Sequence, residues 1–403
     1  MTTSSAFPNI LPVYSPINID FSYGKGIFLY DANNKHYVDF HSGIAVNSLG
    51  HAHPHLINAL KMQGEKLWHI SNTYNIPTAK KFADKLIANS FADTVFFANS
   101  GSEAVECGLK IARIYQNGKG NKNRHSILTF HGAFHGRTFL TCAANDKSKF
   151  SKLLNPCIDW CDNVEPNIES VRKAIANDIG VILIEPIQGQ GGIKVMSESF
   201  LKELRKLCDE NDILLFFDCV QCGAGRTGKL FAYEHVGIEP DICALAKGIG
   251  GGFPLGVCLA TEKVAKYISV GMHGSTFGGY PLATSIGEAV FDELIKDDFL
   301  KNIETRGNYL KKRLENLKEK FSIIEEVRGK GLMLGIKVKT DNQKFADELS
   351  HYGLLTVGVT SDQVVRILPP LIITKKEIDE GIEILNRCLS EKFRVLNKPY
   401  ASS

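Results

Sequence analysis

The spacing of apolar and polar positions changes several times along the chain. Between Thr94 and Leu245, short and continuously apolar runs alternate with segments of helical period. Thr94–Ala98, Ser126–Phe130, Val181–Ile184, Ile213–Phe217 and Ile242–Leu245 read as strands. An unbroken apolar run is what a strand needs when both of its faces are covered. The segment Ser199–Asn211 places Leu201, Leu204 and Cys208 on one helical face. A helix following Asn99 does the same with Val105, Leu109 and Ala112, and Ser100 with Glu103 forms an S-x-x-E start signal for it. Strands separated by helices predict an α/β fold with a mostly parallel central sheet covered by helices.

Both chain ends read differently. Pro8, Pro12 and Pro16 predict an extended arm. In Gly24–Phe40, the runs Ile27–Tyr30 and His36–Phe40 around Asp31 predict a hairpin. After about Gly287 the chain is charged and helical. One long polar helix is expected over Gly287–Lys320, then a strand over Val327–Val338, then another over Val364–Leu368 before Pro369-Pro370. These features suggest a smaller α+β domain drawn from both ends. Its expected boundaries are residues 1–50 as arm and part of the small domain, 51–286 as the large domain, and 287–403 as the rest.

Composition narrows the function classes. The chain has 403 residues, with 47 Lys and Arg against 44 Asp and Glu, a net charge of +3. Nucleic-acid binders usually carry a basic excess, which is missing here. Hydrophobic content of 44% with 23% charged residues excludes disorder for the bulk of the chain. No apolar stretch is long enough to span a bilayer, so no membrane association is expected. The first basic residue is Lys25 and the first arginine Arg113, which fits neither a secretory nor a transit signal. Ten cysteines scattered through so long a chain read as reduced thiols in a cytoplasmic protein.

Candidate chemistry begins at Gly223–Lys229. This stretch contains G-x-G-x-x-G and G-x-x-x-x-G-K, but Leu230 stands where a phosphate loop needs Ser or Thr. Asp218-Cys219-Val220-Gln221 also separates it from the preceding strand, so a glycine-rich turn is the alternative to a nucleotide site. Other residues sit at strand ends, where open α/β sheets bind ligands. Asp218 ends one apolar run, Lys247 follows another amid glycines, and Ser100-Gly101-Ser102 opens a helix whose N–H groups favour phosphate. A strand-end carboxylate, a lysine able to form a Schiff base and a phosphate cradle together suggest pyridoxal phosphate. His51, His53 and His55, and His131 with His135, have metal-compatible spacing but no completing ligands, which assigns them structural roles. Cys219 and Cys222 form C-x-x-C without a second pair.

Nine ordered segments carry a resemblance. They are Ser42–Pro54, Asn99–Ala104, Ala133–Thr138, Glu185–Ile193, Phe217–Gly228, Leu245–Gly256, His273–Ala283, Val327–Gly335 and Val364–Leu371. Through them the chain resembles the class III, fold-type I, pyridoxal-phosphate-dependent aminotransferases. The similarity is greatest to the branch that moves an amino group from N2-acetylornithine to 2-oxoglutarate in arginine biosynthesis. Ornithine, 4-aminobutyrate and N-succinyl-diaminopimelate are the alternative donors.

The resemblance implies a role for each site residue. Lys247 holds the cofactor covalently and, once released, moves the proton as a general base. Asp218 pairs with the pyridine nitrogen, Val220 packs on one ring face and Phe134 stacks on the other. Gln221 lies near the ring hydroxyl, and Glu185 orders the Asp218–Gln221 side. Ser100, Gly101 and Ser102 hold the phosphate, joined by Thr276 of a second copy in a homodimer with shared sites. Arg366 binds the α-carboxylate of glutamate or 2-oxoglutarate, and Arg137 the carboxylate far from the reacting amine. Three positions depart from the family pattern, which usually has Glu at the places of Gln190 and Cys219, and Asn at that of Tyr280. A family glutamate at position 190 would neutralise Arg366. Its replacement by Gln190 implies an enzyme that handles glutamate well and its ω-amine less selectively.

Overall fold

In the computed structural model, which describes residues 10–146, 160–175, 178–359 and 362–393, the apolar runs pair into a seven-stranded sheet. The strand order is Thr94–Ala98, Gly256–Ala260, Ile242–Leu245, Leu214–Asp218, Ile179–Ile184, Ser126–Phe130 and Cys161–Val164. Gly256–Ala260 runs against both neighbours, while the other pairings join strands of one direction. The reason for the continuous apolar runs is visible in Leu214–Asp218. Leu215 and Phe217 pack with Leu204 of the helix Glu198–Glu210, whereas Leu214 and Phe216 pack with Leu109 of the helix Gly101–Gly118. Both faces are therefore buried. Gly108 lets the second helix close on the sheet, because a Cβ there would stand 2.3 Å from the Phe216 ring.

Two smaller sheets complete the fold. Phe21–Lys25, Phe28–Asp31 and His36–Asp39 form a meander, and Leu354–Leu355 adds to it in parallel from the far end of the chain. The predicted hairpin is thus present, with Phe28 opposite Val38. The other sheet orders Ile324–Lys330, Met333–Val338, Val364–Ile367 and Val357–Gly358, which pairs Arg366 with Gly335 on one side and Val357 on the other.

Three elements differ from expectation. The single helix expected over Gly287–Lys320 is two, Pro281–Leu294 and Phe299–Lys320, broken before Asp298 at φ 60°. The strand expected over Val327–Val338 is a hairpin. Gly331 turns it at φ 57°, where its missing Cβ would stand 2.5 Å from the Thr227 backbone. Gly256–Ala260 is a strand that the periodicity did not show, because the glycine-rich stretch Gly248–Gly252 and Pro254 just before it read as loop.

Candidate active site

The carboxyl ends of the parallel strands open into a cavity of about 690 Å³. It is lined by Ser100, Gly101, Ser102, Phe134, Arg137, Glu185, Gln190, Asp218, Val220, Gln221, Lys247 and Arg366. All of these residues but Arg366 follow or end strands of the central sheet that point the same way, and Arg366 reaches the cavity from the sheet holding Val364–Ile367.

On the floor, Asp218 is the buried last residue of its strand. One carboxylate oxygen accepts the Val220 N–H at 3.0 Å, and the other lies 2.8 Å from His135 Nδ1. Glu185 follows the next strand and accepts the N–H groups of Phe134 at 2.9 Å and Gly189 at 3.0 Å. Burial, then the nearby Asp218 charge, pushes the Glu185 carboxyl up to about 7. Gly189 brings that loop against Gln221, whose Oε1 would lie 2.4 Å from a Cβ at Gly189. Lys247 begins a short turn at φ 48° and borders the cavity. Burial, then the Arg366 charge, lowers its amine from the usual 10.5 to about 8. The lysine is therefore closer to a neutral nucleophile than an exposed one.

One end of the cavity is built for an anion. Ser100 caps the helix Gly101–Gly118 by accepting the Glu103 N–H at 3.2 Å, which leaves helix-start N–H groups toward the cavity. Gly101 is compact by necessity, since a Cβ would lie 2.8 Å from Val220 Cγ1. Ser102 Oγ accepts the Arg137 N–H at 3.2 Å. The exposed Arg137 guanidinium stands 5.3 Å from the Phe134 ring centre.

Arg366 is buried in the wall and donates to Gln221 Oε1 at 3.5 Å. Among the described residues no carboxylate lies within ion-pair distance of it, and its Nε has no partner. Burial lowers its guanidinium to about 10, and the Glu185 charge opposes that shift. Thr276 is exposed and outside this cavity, with its carbonyl accepting from His69 at 2.9 Å.

Several expectations change. His135, assigned a structural role from spacing, touches Asp218 in the cavity. Spacing alone could not place it there, although the strand end three residues upstream of Ala133 was legible. Gln343, Gly43, Ile44 and Val46 also line the cavity without any chemical signal in the sequence. Among the described residues no cluster of His, Cys, Asp and Glu could hold a metal. His51 pairs with Asp39 and His55 with Glu293, both at 2.8 Å. Gly223–Lys229 is a largely buried turn that opens no helix, and Arg226 within it donates to the carbonyls of Leu332 and Pro369. This geometry does not cradle a nucleotide. Cys219 and Cys222 are free and buried. Nothing in the structure explains Tyr280, which precedes the helix Pro281–Leu294.

The residues present fit pyridoxal phosphate. An amine of lowered basicity shares the floor with a carboxylate, and a glycine-tight helix start lies beside them. Among the described residues, the buried Nε2 of His135, next to that carboxylate, has no hydrogen-bond partner.

Residues 11–389 match the family Aminotransferase class-III, and the chain belongs to that family. It is 45% identical over 399 residues to an acetylornithine aminotransferase of Brucella melitensis, covering 98% of each chain. It is 47% identical over 364 residues to one from Agrobacterium fabrum, covering 90% of this chain and 91% of that one. Among solved structures it resembles an N-acetylornithine aminotransferase from Stenotrophomonas maltophilia, at TM-score 0.82 and 33% identity over 93% of this chain and 96% of that one. An ornithine aminotransferase from Toxoplasma gondii superposes with TM-score 0.89 at 27% identity, over 95% of this chain and 93% of that one.

Proposed function

We propose that this enzyme transfers an amino group from N2-acetylornithine to 2-oxoglutarate, giving N-acetylglutamate 5-semialdehyde and glutamate, in the cytoplasm. The carrying observation is the juxtaposition around one cavity of Lys247, Asp218 and a buried Arg366 that pairs with no carboxylate among the described residues. Relatives of that name, aligned over nearly the whole chain, support the donor.

Pyridoxal phosphate bound there supplies an electron sink for the breaking C–H bond. Asp218, oriented by His135, would keep the ring nitrogen protonated. Lys247 would hold the cofactor and later move the proton, a task suited to an amine whose basicity burial has lowered. Ser100, Gly101 and Ser102 would hold the phosphate, while Val220 and Phe134 would flank the ring. Gln221 would face the ring hydroxyl, and Glu185 would order that side.

Arg366 offers a planar fork for the α-carboxylate of glutamate, and Arg137 at the rim for the distal carboxylate. A second copy in a homodimer would supply Thr276. The apolar side chains of Val270, Met272 and Phe277 beside Thr276 are exposed, as a surface covered by such a copy would be.

The test is a panel of amino donors with 2-oxoglutarate as acceptor, scored by kcat/KM. N2-acetylornithine should rank first. Ornithine or 4-aminobutyrate ranking above it would overturn the donor assignment.

A further inference from the structure

Ser42, Gly43, Ile44 and Ala45 have φ of 49°, 63°, 64° and 63°, one left-handed turn. L-residues visit this region singly, and a β-branched isoleucine suits it poorly. Such strain persists only where surrounding contacts over-determine it, and it concentrates at binding sites. Here the contacts are specific. Asp39, 1% exposed, accepts the N–H of His41 at 2.9 Å and of Ser42 at 2.7 Å on one oxygen. Its other oxygen lies 2.8 Å from His51 Nε2. His41 Nδ1 in turn accepts the Ile44 N–H at 3.1 Å.

Both flanks of the turn are fastened to the substrate-holding parts of the cavity. Ser48 Oγ donates to the carbonyl of Gly248, next to Lys247, at 2.6 Å. The Phe40 carbonyl accepts from Leu368, two residues beyond Arg366, at 2.7 Å. Between these anchors, Gly43, Ile44 and Val46 line the cavity.

The geometry points to Asp39 and His51 as positioning residues: they hold the Ser42–Ala45 turn against its strain, so that Ile44 walls the cavity and sets the affinity for the aliphatic chain of the amino donor. This deepens the transamination proposed above and rests on it. Neither residue touches the reacting atoms, so their effect belongs in donor binding rather than in turnover.

The test compares holoenzyme carrying Ile44→Gly, Asp39→Asn and both together, measuring KM and kcat for donor and acceptor and the melting temperature. Glycine is at home at this φ, so Ile44→Gly should melt close to wild type. Its KM for N2-acetylornithine should rise at least about tenfold, with kcat held within about threefold. Asp39→Asn should give the same rise, and in the double variant the two effects should not multiply, because Asp39→Asn misplaces the side chain that Ile44→Gly has already removed. An unmoved donor KM in Ile44→Gly, equal changes for donor and acceptor, or multiplying effects in the double variant would overturn the assignment. If Asp39→Asn does not fold, His51→Phe, which keeps a ring but removes the partner of Asp39, takes its place, and an unmoved donor KM there overturns the positioning. A wild type inactive on N2-acetylornithine would refute the proposed function. An active wild type with unmoved KM in Ile44→Gly refutes only the positioning.

Discussion

The floor and the wall of the cavity are built in contrasting ways. Asp218, Glu185 and Lys247 on the floor each end a strand of the central sheet or follow one within two residues. Their separation is set by hydrogen-bonded pairing, such as Phe217 beside Ile184 on one side and Cys243 on the other. The wall instead combines the Ser42–Ala45 turn, Gln343, and Arg366 from a different sheet. Its turn is strained, at about 1–2 kcal/mol for each non-glycine residue in the left-handed region. On the proposed function, chemistry falls to the strand-end floor and substrate choice to the assembled wall.

Three measurements test that division. The largest effect should come from Arg366→Met, which keeps the volume and removes the fork. We expect kcat/KM for 2-oxoglutarate to fall about 100-fold, as loss of a buried charge-assisted pair implies. The half-reaction with N2-acetylornithine should fall much less. Equal losses in the two would place Arg366 in the chemistry rather than in recognition.

A second effect concerns pH. The folded amine of Lys247 loses its proton near 8, whereas the unfolded one keeps it to about 10.5. Between those values the folded chain binds fewer protons, so this group makes the cofactor-free protein more stable as pH rises through that window. The rate of cofactor uptake by the cofactor-free protein should likewise climb to a plateau just above pH 8. A rate still climbing at pH 10 would mean that the floor does not depress this amine.

The smallest effect is expected at Gln190, which lines the cavity with Arg366. A carboxylate introduced by Gln190→Glu would give Arg366 a counter-charge when no substrate carboxylate occupies it. The ratio of kcat/KM for N2-acetylornithine to that for glutamate should rise by about threefold to tenfold, the scale of one partly screened charge pair. An unchanged ratio would show that the uncharged residue is irrelevant to donor choice.

The same contrast governs how much could be read from the sequence. The floor was legible because a strand buried on both faces announces itself as an apolar run, and its terminal residue can be named directly. Lys247 and Asp218 followed from that rule. Ser100 was legible through Glu103, whose backbone N–H it does cap. The wall was not legible in this way, because no local pattern places residues 42–45, 343 and 366 together. The Arg366 assignment came from resemblance, and the strained turn carries no periodicity at all. His135 was read only as structural, because no local pattern links it to its partner Asp218, 83 residues away. The helix break at Asp298 and the turn at Gly331 were missed because polar helical period and strand character continue on both sides of each.

The central claim is that the strand-end floor holds the cofactor through one lysine. Borohydride reduction of the holoenzyme, followed by proteolysis and mass spectrometry, tests it directly. The cofactor-derived mass should appear on the peptide containing Lys247 alone. That mass on any other lysine, or no covalent label at all, would contradict it.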